Sequence, residues 1–506
     1  MFVTIQQSTL LRVMTIFMSG LLMPLAFAPI GWGPSAAIFL AVLFHQWLQC
    51  NAKQAWWFGW CFGTALFLGG VYWVYFSMHD YGNVPSVLAA FLTLLFAMFL
   101  GLFVALGGWL SRRYFSLQRT AYLWLVLPTF WVLMEWIRSW LFTGFSWLNM
   151  GASQVEWPLM GYAPIFGEFG MSWLLALTAA GLVYVIDAEN KKRFIAVLAV
   201  GIFWVGGFFL NEVRWTEKTG TPFSVALVQG NVDQIKKWDP EFREEIINGY
   251  LEQTRPHWGT DVIIWPETAI SVFYHHVPEI IDGLERQAKK NASDMLVGIP
   301  YREQSSNEYF NSILSLGTER GFYHKRHLVP FGEFIPFQKW ISNVLDFMGL
   351  PMSGFGQGLA TQPPLKAGGY LAGMTVCYEI IFNNEVIQSL PAANYLVNVS
   401  NNTWFGNSSM PHQQLQMAQL RARETERYVL SATNNGVSAV VDDSGHIMGT
   451  SPQFQKHVLK ADVQPRTGAT PYVRWGNYPV LITMFFMFLF MLFLQRKEVK
   501  AQRVQS

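Results

Sequence analysis

The sequence has few charged residues for its length. Charged residues make up 13% of the 506 residues and hydrophobic residues make up 52%, whereas a soluble globular protein carries about 25% charged residues. This composition indicates a membrane protein. The net charge of +2 is too small to argue for a nucleic-acid partner.

Cysteine is also scarce, and several familiar motifs do not occur. Cys50, Cys61 and Cys377 stand at unrelated spacings, so the sequence predicts neither a disulfide framework nor a metal site built from paired CxxC motifs. A glycine-rich phosphate loop and an HExxH motif are both missing from the sequence. Internal repeats and low-complexity tracts are missing as well.

Long apolar runs are what the sequence has instead, and they predict about eight transmembrane helices. Each run is close to the roughly 20 residues needed to cross a hydrocarbon core of about 30 Å. The runs lie at residues 9–28, 33–50, 56–78, 86–110, 121–142, 164–186, 193–210 and 477–495. The predicted domains are a transmembrane domain of seven helices at 1–211, a domain of ordinary soluble composition at 220–470, and a last helix with a short tail at 474–506.

"LAFA" at 25–28 resembles a signal-peptidase site, but we expect the first helix to be retained.

The loop charges predict the orientation of these helices. Lys and Arg follow the second, fourth, sixth and eighth runs, and the loops after the first and third runs contain neither residue. Because basic loops mark the cytoplasmic side, we expect both termini in the cytoplasm and the large soluble domain on the outer face.

Two ionisable residues stand inside a predicted membrane helix. Glu135 and Arg138 are three residues apart in "FWVLMEWIRSW", so they share a helix face and can pair. Both a site at the membrane surface and a structural ion pair that ties helices together fit this pattern.

The soluble part alternates short β-branched runs with helical segments. Runs such as "FSVALVQGNV" (223–232), "DVIIWPET" (261–268) and "YLAGMTVCYEI" (370–380) predict strands, and "EFREEIINGYLEQT", "VPEIIDGLERQAKK" and "PHQQLQMAQLRARETERYVL" predict helices. Near-continuous apolar strands indicate sheets that are covered on both faces. The alternation predicts a layered α/β domain.

Three polar residues stand at or near the ends of such elements. They are Glu267 in "IIWPET", Lys325 in "GFYHKRHLVPFGEFIP" and Cys377 in "MTVCYEI". These residues are far apart in the sequence, so only folding can bring them close to one another. Taken singly, each also fits an ordinary role: a surface glutamate, a solvated lysine, and a buried cysteine that packs as a small hydrophobic residue.

Taken together, these stretches resemble the nitrilase superfamily, and the membrane topology narrows the resemblance to the apolipoprotein N-acyltransferases. The resemblance covers the whole chain and rests on "WPE" (265–267), "YHKRHLVPFGEFIP" (323–336), "CYE" (377–379), "SNNTWFG" (400–406), "TNNGVSAV" (433–440) and "EWIRSWLFTGF" (135–145). "GFSW" at 144–147 departs from the family pattern, which has proline at the third position. The resemblance implies an α-β-β-α sandwich for the soluble domain.

The resemblance also implies roles for particular residues. Cys377 would be the nucleophile, Glu267 the general base, and Lys325 the cation at the developing oxyanion, joined there by the main-chain N–H of Tyr378. Glu333 and Glu379 would be supporting acids, and Glu333 is expected to orient Lys325 or assist proton transfer.

The segment 334–355 and Trp238 bear on the substrate. The segment contains Phe337, Trp340 and other large apolar residues on one irregular stretch, which is unusual for a soluble domain. These side chains either cap the sandwich core or, as we prefer, form loops that enter the lipid and cover the site.

The function implied is acyl transfer from a membrane phospholipid, through a thioester on Cys377, to the α-amine of the N-terminal diacylglyceryl-cysteine of an apolipoprotein. We expect the protein in the bacterial inner membrane, and no metal or organic cofactor is implied. A membrane-anchored nitrilase-type amidase that releases acyl groups to water is the alternative. A lipid-binding or transport protein would explain the helices but would leave the three polar residues without a role.

Overall fold

The computed structural model describes residues 9–305, 308–335 and 354–505. The chain divides into two compact units. The first comprises Met1–Val213, Asn407–Gln416 and Arg474–Ser506, and the second comprises Arg214–Gly406 and Met417–Val473. The sequence-based boundaries stay a prediction, and Asn407–Gln416 is the main segment that they assign differently.

The first unit is helical. Its main helices are Thr9–Leu22, Ser35–Leu48, Ala52–Gly70, Ser86–Tyr114, Leu127–Arg138, Ala163–Asp187, Asn190–Leu210 and Tyr478–Gln505. Over the described residues, six helical stretches are long and apolar enough to cross a membrane, or seven if Ala52–Gly70 and Val74–Tyr81, which meet at 63°, form one span.

The second predicted run, at residues 33–50, falls on a helix that is too short to be counted with these. Ser35–Leu48 has 14 residues, and at about 1.5 Å per residue it rises only about 21 Å. A hydrocarbon core is about 30 Å thick. The predicted count of about eight is therefore approximate, and the described part of the chain supports six or seven spans.

Glu135 and Arg138 are both buried in the helix Leu127–Arg138. Glu135 accepts a hydrogen bond from the main-chain N–H of Met150 at 2.9 Å. Arg138 donates to the main-chain oxygens of Phe145 and Trp147, both at 2.6 Å. Both charged side chains thus bind the segment that follows their own helix, and these bonds satisfy polar groups that would be costly in a membrane without partners.

The described residues of the second unit form two six-stranded sheets and a pair of short strands. Sheet one has the order His457–Val463, Phe223–Gln229, Val262–Trp265, Asp294–Arg302, Tyr309–Leu316, Gly321–His324. Sheet two has the order Ile447–Thr450, Ala439–Val441, Val429–Thr433, Tyr395–Ser400, Tyr370–Val376, Leu365–Ala367. Strands Thr216–Lys218 and Arg466–Gly468 form the pair.

The centre of each sheet is parallel. In sheet one, Val262–Trp265 pairs in parallel with both of its neighbours. In sheet two, Tyr395–Ser400 does the same. The carboxyl ends of parallel strands lie at one edge of a sheet. In each sheet, the residues that follow the parallel strands therefore lie close together at that edge.

The two sheets share one hydrophobic core. Alternate residues of a strand face opposite sides, so Val225 and Leu227 pack with residues of sheet two, while Ala226 and Val228 face the other way. This second side is covered by two helices, which are Arg243–Thr254 and Pro278–Lys290. Other α-helices among the described residues of this unit include Gln234–Lys237, Asn383–Val386 and the later part of Met410–Thr425.

Two element boundaries differ from the sequence prediction. The strand predicted to run through Cys377 ends at Val376, and Cys377–Ile381 forms a 3-10 turn. The helix predicted over 411–430 ends at Thr425, and Val429–Thr433 is a strand. In both places the chain turns at a residue with positive φ, 52° at Cys377 and 46° at Glu426. Such a backbone angle is incompatible with continuing a strand or a helix.

Candidate active site

The predicted catalytic side chains lie where strands end. Glu267 follows Val262–Trp265 in sheet one, and Lys325 follows Gly321–His324 at the edge of the same sheet. Cys377 follows Tyr370–Val376 in sheet two. Since the sheets pack face to face, residues that are more than fifty positions apart in the sequence come together at this end of the sandwich.

Glu267 is buried, and each of its carboxylate oxygens has a hydrogen-bond donor. The side-chain amide of Asn311 donates to Oε1 at 2.7 Å. The main-chain N–H of Asn401 donates to Oε2 at 2.7 Å. These two bonds fix the plane of the carboxylate.

Lys325 is 1% exposed and lies between two carboxylates. Its Nζ is 2.8 Å from both oxygens of Glu333 and 3.9 Å from Oε1 of Glu267. Burial alone would lower the pKa of Lys325, but the carboxylates of Glu333 and Glu267 outweigh it and hold this pKa above its ordinary value. The site therefore contains a permanent cation.

Cys377 has a strained main chain and a protonated thiol. Its φ of 52° is uncommon for any residue other than glycine, and such outliers are concentrated at functional sites. The main-chain N–H of Asn401, which donates to Glu267, also acts to lower the pKa of the Cys377 thiol. Burial, and after it the Glu267 carboxylate, raise the pKa of the Cys377 thiol to about 12, against the opposing effect of Lys325. The resting nucleophile is thus a thiol that needs a base.

Glu379 lies behind the nucleophile and is fully buried. It accepts hydrogen bonds from the main-chain N–H groups of Val376 at 2.6 Å, Arg326 at 2.7 Å and His327 at 3.1 Å, and from the hydroxyl of Tyr323 at 2.9 Å. Burial raises the pKa of Glu379, and Arg326 acts to lower it. This carboxylate ties the turn that carries Cys377 to the segment that carries Lys325.

The other predicted site residues are placed as follows. Tyr378 is buried beside Cys377, and its ring lies 5.0 Å from that of Phe382. Trp238 is 48% exposed and ends the helix Gln234–Lys237. Phe337 and Trp340 lie outside the described residues.

Comparison with known proteins identifies the family. Residues 19–181 match the model of the apolipoprotein N-acyltransferase N-terminal domain, and residues 224–472 match that of carbon-nitrogen hydrolases. The chain is 43% identical over 466 residues to an apolipoprotein N-acyltransferase of Methylococcus capsulatus, which covers 91% of this chain and 92% of the relative. A protein of the same name from Coxiella burnetii is 37% identical over 479 residues, with coverage of 94% and 98%.

This chain belongs to the apolipoprotein N-acyltransferase family. The resemblance drawn from the sequence motifs is therefore confirmed. The predicted fold class, apolar membrane helices with a nitrilase-like sandwich, is confirmed as well, apart from the approximate helix count.

Three polar residues of the site were missed in the sequence. Asn401 lay within a quoted motif, "SNNTWFG", but its N–H group had no assigned role. Asn311 is a polar residue in the apolar run "YFNSILSL", and a buried asparagine in a strand is a signal that could have been used. Lys237 donates to the main-chain oxygen of Glu267, and in "IKKWDP" nothing separates it from its neighbour Lys236.

Proposed function

We propose that the protein transfers an acyl chain from a membrane phospholipid to the α-amine of the N-terminal diacylglyceryl-cysteine of apolipoproteins. Cys377 holds the acyl chain as a thioester between the two half-reactions. Family membership supports this class of reaction. The observation that carries the proposal is the ammonium group of Lys325, which lies 3.9 Å from the Glu267 carboxylate and acts electrostatically on the Cys377 thiol. A carboxylate base, a cation and a thiol at one buried site are the groups that acyl transfer through a thioester requires.

In the first half-reaction, Glu267 takes the thiol proton as the Cys377 sulfur attacks the ester carbonyl of the phospholipid. Because the pKa of the thiol is raised to about 12, proton removal accompanies the attack. The negative charge that develops on the carbonyl oxygen is stabilised by Lys325 and by the N–H of Tyr378. A preorganised donor or cation in this role contributes about 3 kcal/mol. The glycerol oxygen then leaves with the proton from Glu267, and a lysophospholipid departs.

In the second half-reaction, the neutral α-amine attacks the thioester carbonyl. Glu267 accepts a proton from the attacking amine, and the same cation stabilises the second oxyanion. The carbon–sulfur bond breaks, Glu267 returns the proton to the sulfur, and the product is an amide. One site thus serves two substrates in turn. Trp238, Phe337 and Trp340 are proposed to contact the acyl chains or to cover the site.

The proposed setting is the bacterial inner membrane, with the soluble unit on the periplasmic face and both termini in the cytoplasm. The alternating basic and uncharged loops of the sequence support this orientation. The phospholipid donor lies in the same membrane, and the lipid part of the acceptor holds it at the same surface.

Acyl transfer and hydrolysis are separated by one experiment. Purified protein is given phospholipid with or without a diacylglyceryl peptide that has a free α-amine. With the peptide present, we expect the peptide to become N-acylated. Without the peptide, we expect little release of free fatty acid. Rapid release of fatty acid to water with no acylated peptide would favour a membrane-anchored amidase. An N-acetylated peptide is the matched control, since it has no nucleophilic amine.

A further inference from the structure

Two adjacent lysines have different surroundings. Lys237 is 1% exposed, and its Nζ donates to the main-chain oxygen of Glu267 at 2.9 Å. Lys236 is exposed and lies over the ring of Phe242, 4.9 Å from the ring centre. A buried lysine is rare unless its charge has a use or a partner, so the position of Lys237 against the predicted base requires an explanation.

The short helix Gln234–Lys237 reaches Glu267 from two sides. Lys237 holds the main chain of Glu267. Gln234 accepts a hydrogen bond from the side chain of Asn401 at 2.7 Å, and the main chain of Asn401 bonds the Glu267 carboxylate. Asp233 precedes the helix as its N-cap, and its side chain accepts hydrogen bonds from the main-chain N–H groups of Ile235 and Lys236. The position of the carboxylate is therefore determined in part by this helix.

The charges around Lys237 indicate what its ammonium group does. Glu267 and Glu333 contribute two negative charges, and Lys325 contributes one positive charge. The thiol of Cys377 is neutral because its pKa is raised. Without Lys237 the site would carry excess negative charge before any oxyanion forms.

Four other charged groups of the described residues adjoin the site or the short helix. Glu379 is opposed by Arg326, and Asp233 and Lys236 lie on the exposed side of the short helix or its cap. Burial lowers the pKa of Lys237 to about 8, while Glu267 acts to raise it. Lys237 is thus charged at neutral pH.

We propose that Lys237 is a positioning residue for the general base, which fixes the Glu267 main chain and supplies a second positive charge beside the Glu267 carboxylate. This proposal rests on the role of Glu267 in the proposed function. A neutral hydrogen-bond donor would satisfy the Glu267 oxygen equally well, so the charge is the part of the proposal that can be tested separately.

The test uses alkylation of Cys377 by iodoacetamide in the purified full-length protein, followed from about pH 5 to pH 9. Mass spectrometry of the peptide that contains Cys377 separates its reaction from those of Cys50 and Cys61. Alkylation needs only the thiol and its base, so a failure of acyl transfer in the unaltered protein would not affect this result. Lys237→Gln keeps a donor and removes the charge, Lys237→Met removes both, and Lys236→Met is the matched control.

The expected result is a shift of the acidic limb of the rate profile to higher pH by about one unit in both neutral variants, because the carboxylate is protonated more easily without the cation. On that limb they react about tenfold more slowly than the unaltered protein. Lys236→Met keeps the original profile. An unchanged profile in Lys237→Gln, or an equal loss at every pH, would overturn the proposal. Failure of both Lys237 variants to fold would also overturn it, since Lys237 would then be a structural ion.

Discussion

The buried Lys325 and the partly exposed Glu333 form an ion pair in which both carboxylate oxygens lie 2.8 Å from the ammonium nitrogen. The second carboxylate, that of Glu267, is farther away, at 3.9 Å. Glu333 thus takes the closest contact with the cation and leaves the Glu267 oxygens to the donors of Asn311 and Asn401. The pair orients the cation without using the base.

The substitution Glu333→Gln tests whether Glu333 orients Lys325 and keeps it away from Glu267. Without the Glu333 charge, Lys325 is drawn to Glu267, and we expect acylation of Cys377 to slow by about 10- to 100-fold. Loss of one partner from a buried ion pair costs roughly 3–5 kcal/mol, so the melting temperature also falls. The measurements are single-turnover acylation and thermal unfolding. Glu244→Gln on an exposed helix face is the control, and equal rates in the two variants would contradict the role given to Glu333.

Glu379→Gln is expected to act mainly on stability. The Glu379 carboxylate accepts four hydrogen bonds, and a hydrogen bond to a charged group contributes about 1.5–3 kcal/mol. We expect a lower melting temperature and slower acylation, because the Cys377 turn loses its anchor. The exposed Glu279→Gln serves as the control. A fully stable Glu379→Gln variant would show that the anchor is unimportant.

The pH dependence of Cys377 reactivity should reveal the base. The raised pKa of about 12 keeps the thiol protonated near neutral pH, so reaction there depends on Glu267. In Glu267→Gln, alkylation of Cys377 should slow by about 10²-fold at pH 7. In this variant the alkylation rate should rise about tenfold for each pH unit, because without the base only the ionised fraction of the Cys377 thiol reacts.

Iodoacetamide labelling and mass spectrometry measure both quantities. Glu244→Gln should keep the profile of the unaltered protein. A Glu267→Gln variant that reacts at the original rate at pH 7 would remove Glu267 from the role of base.

The proposed orientation predicts which positions a membrane-impermeant thiol reagent reaches in intact spheroplasts. Cysteines introduced at Gln304 or His446, in a chain with Cys50, Cys61 and Cys377 replaced by serine, should be labelled. A cysteine at Lys192 should be labelled only after lysis. The opposite pattern would reverse the topology and would remove the apolipoprotein from consideration as acceptor.

The sequence predicted best what depends on local pattern. Apolar runs located the strands that precede Glu267 and Cys377 and the membrane helices other than the short Ser35–Leu48. The sequence could not predict the turn at Cys377, because the apolar pattern of the strand continues through "CYEII". The positive φ of Cys377 does not change that pattern. Nor could the sequence separate Lys237 from Lys236, since only the folded chain brings Lys237 to Glu267, thirty positions away.

The most direct test of the proposed mechanism is the mass of the protein after incubation with phospholipid in the absence of acceptor. We predict an increase of one acyl chain located on Cys377, which is removed by neutral hydroxylamine and by a diacylglyceryl peptide with a free amine. Cys377→Ser should show little or no adduct, because a serine hydroxyl ionises far less readily than a thiol beside the same base. An unchanged mass under conditions in which the peptide becomes acylated would contradict the thioester mechanism.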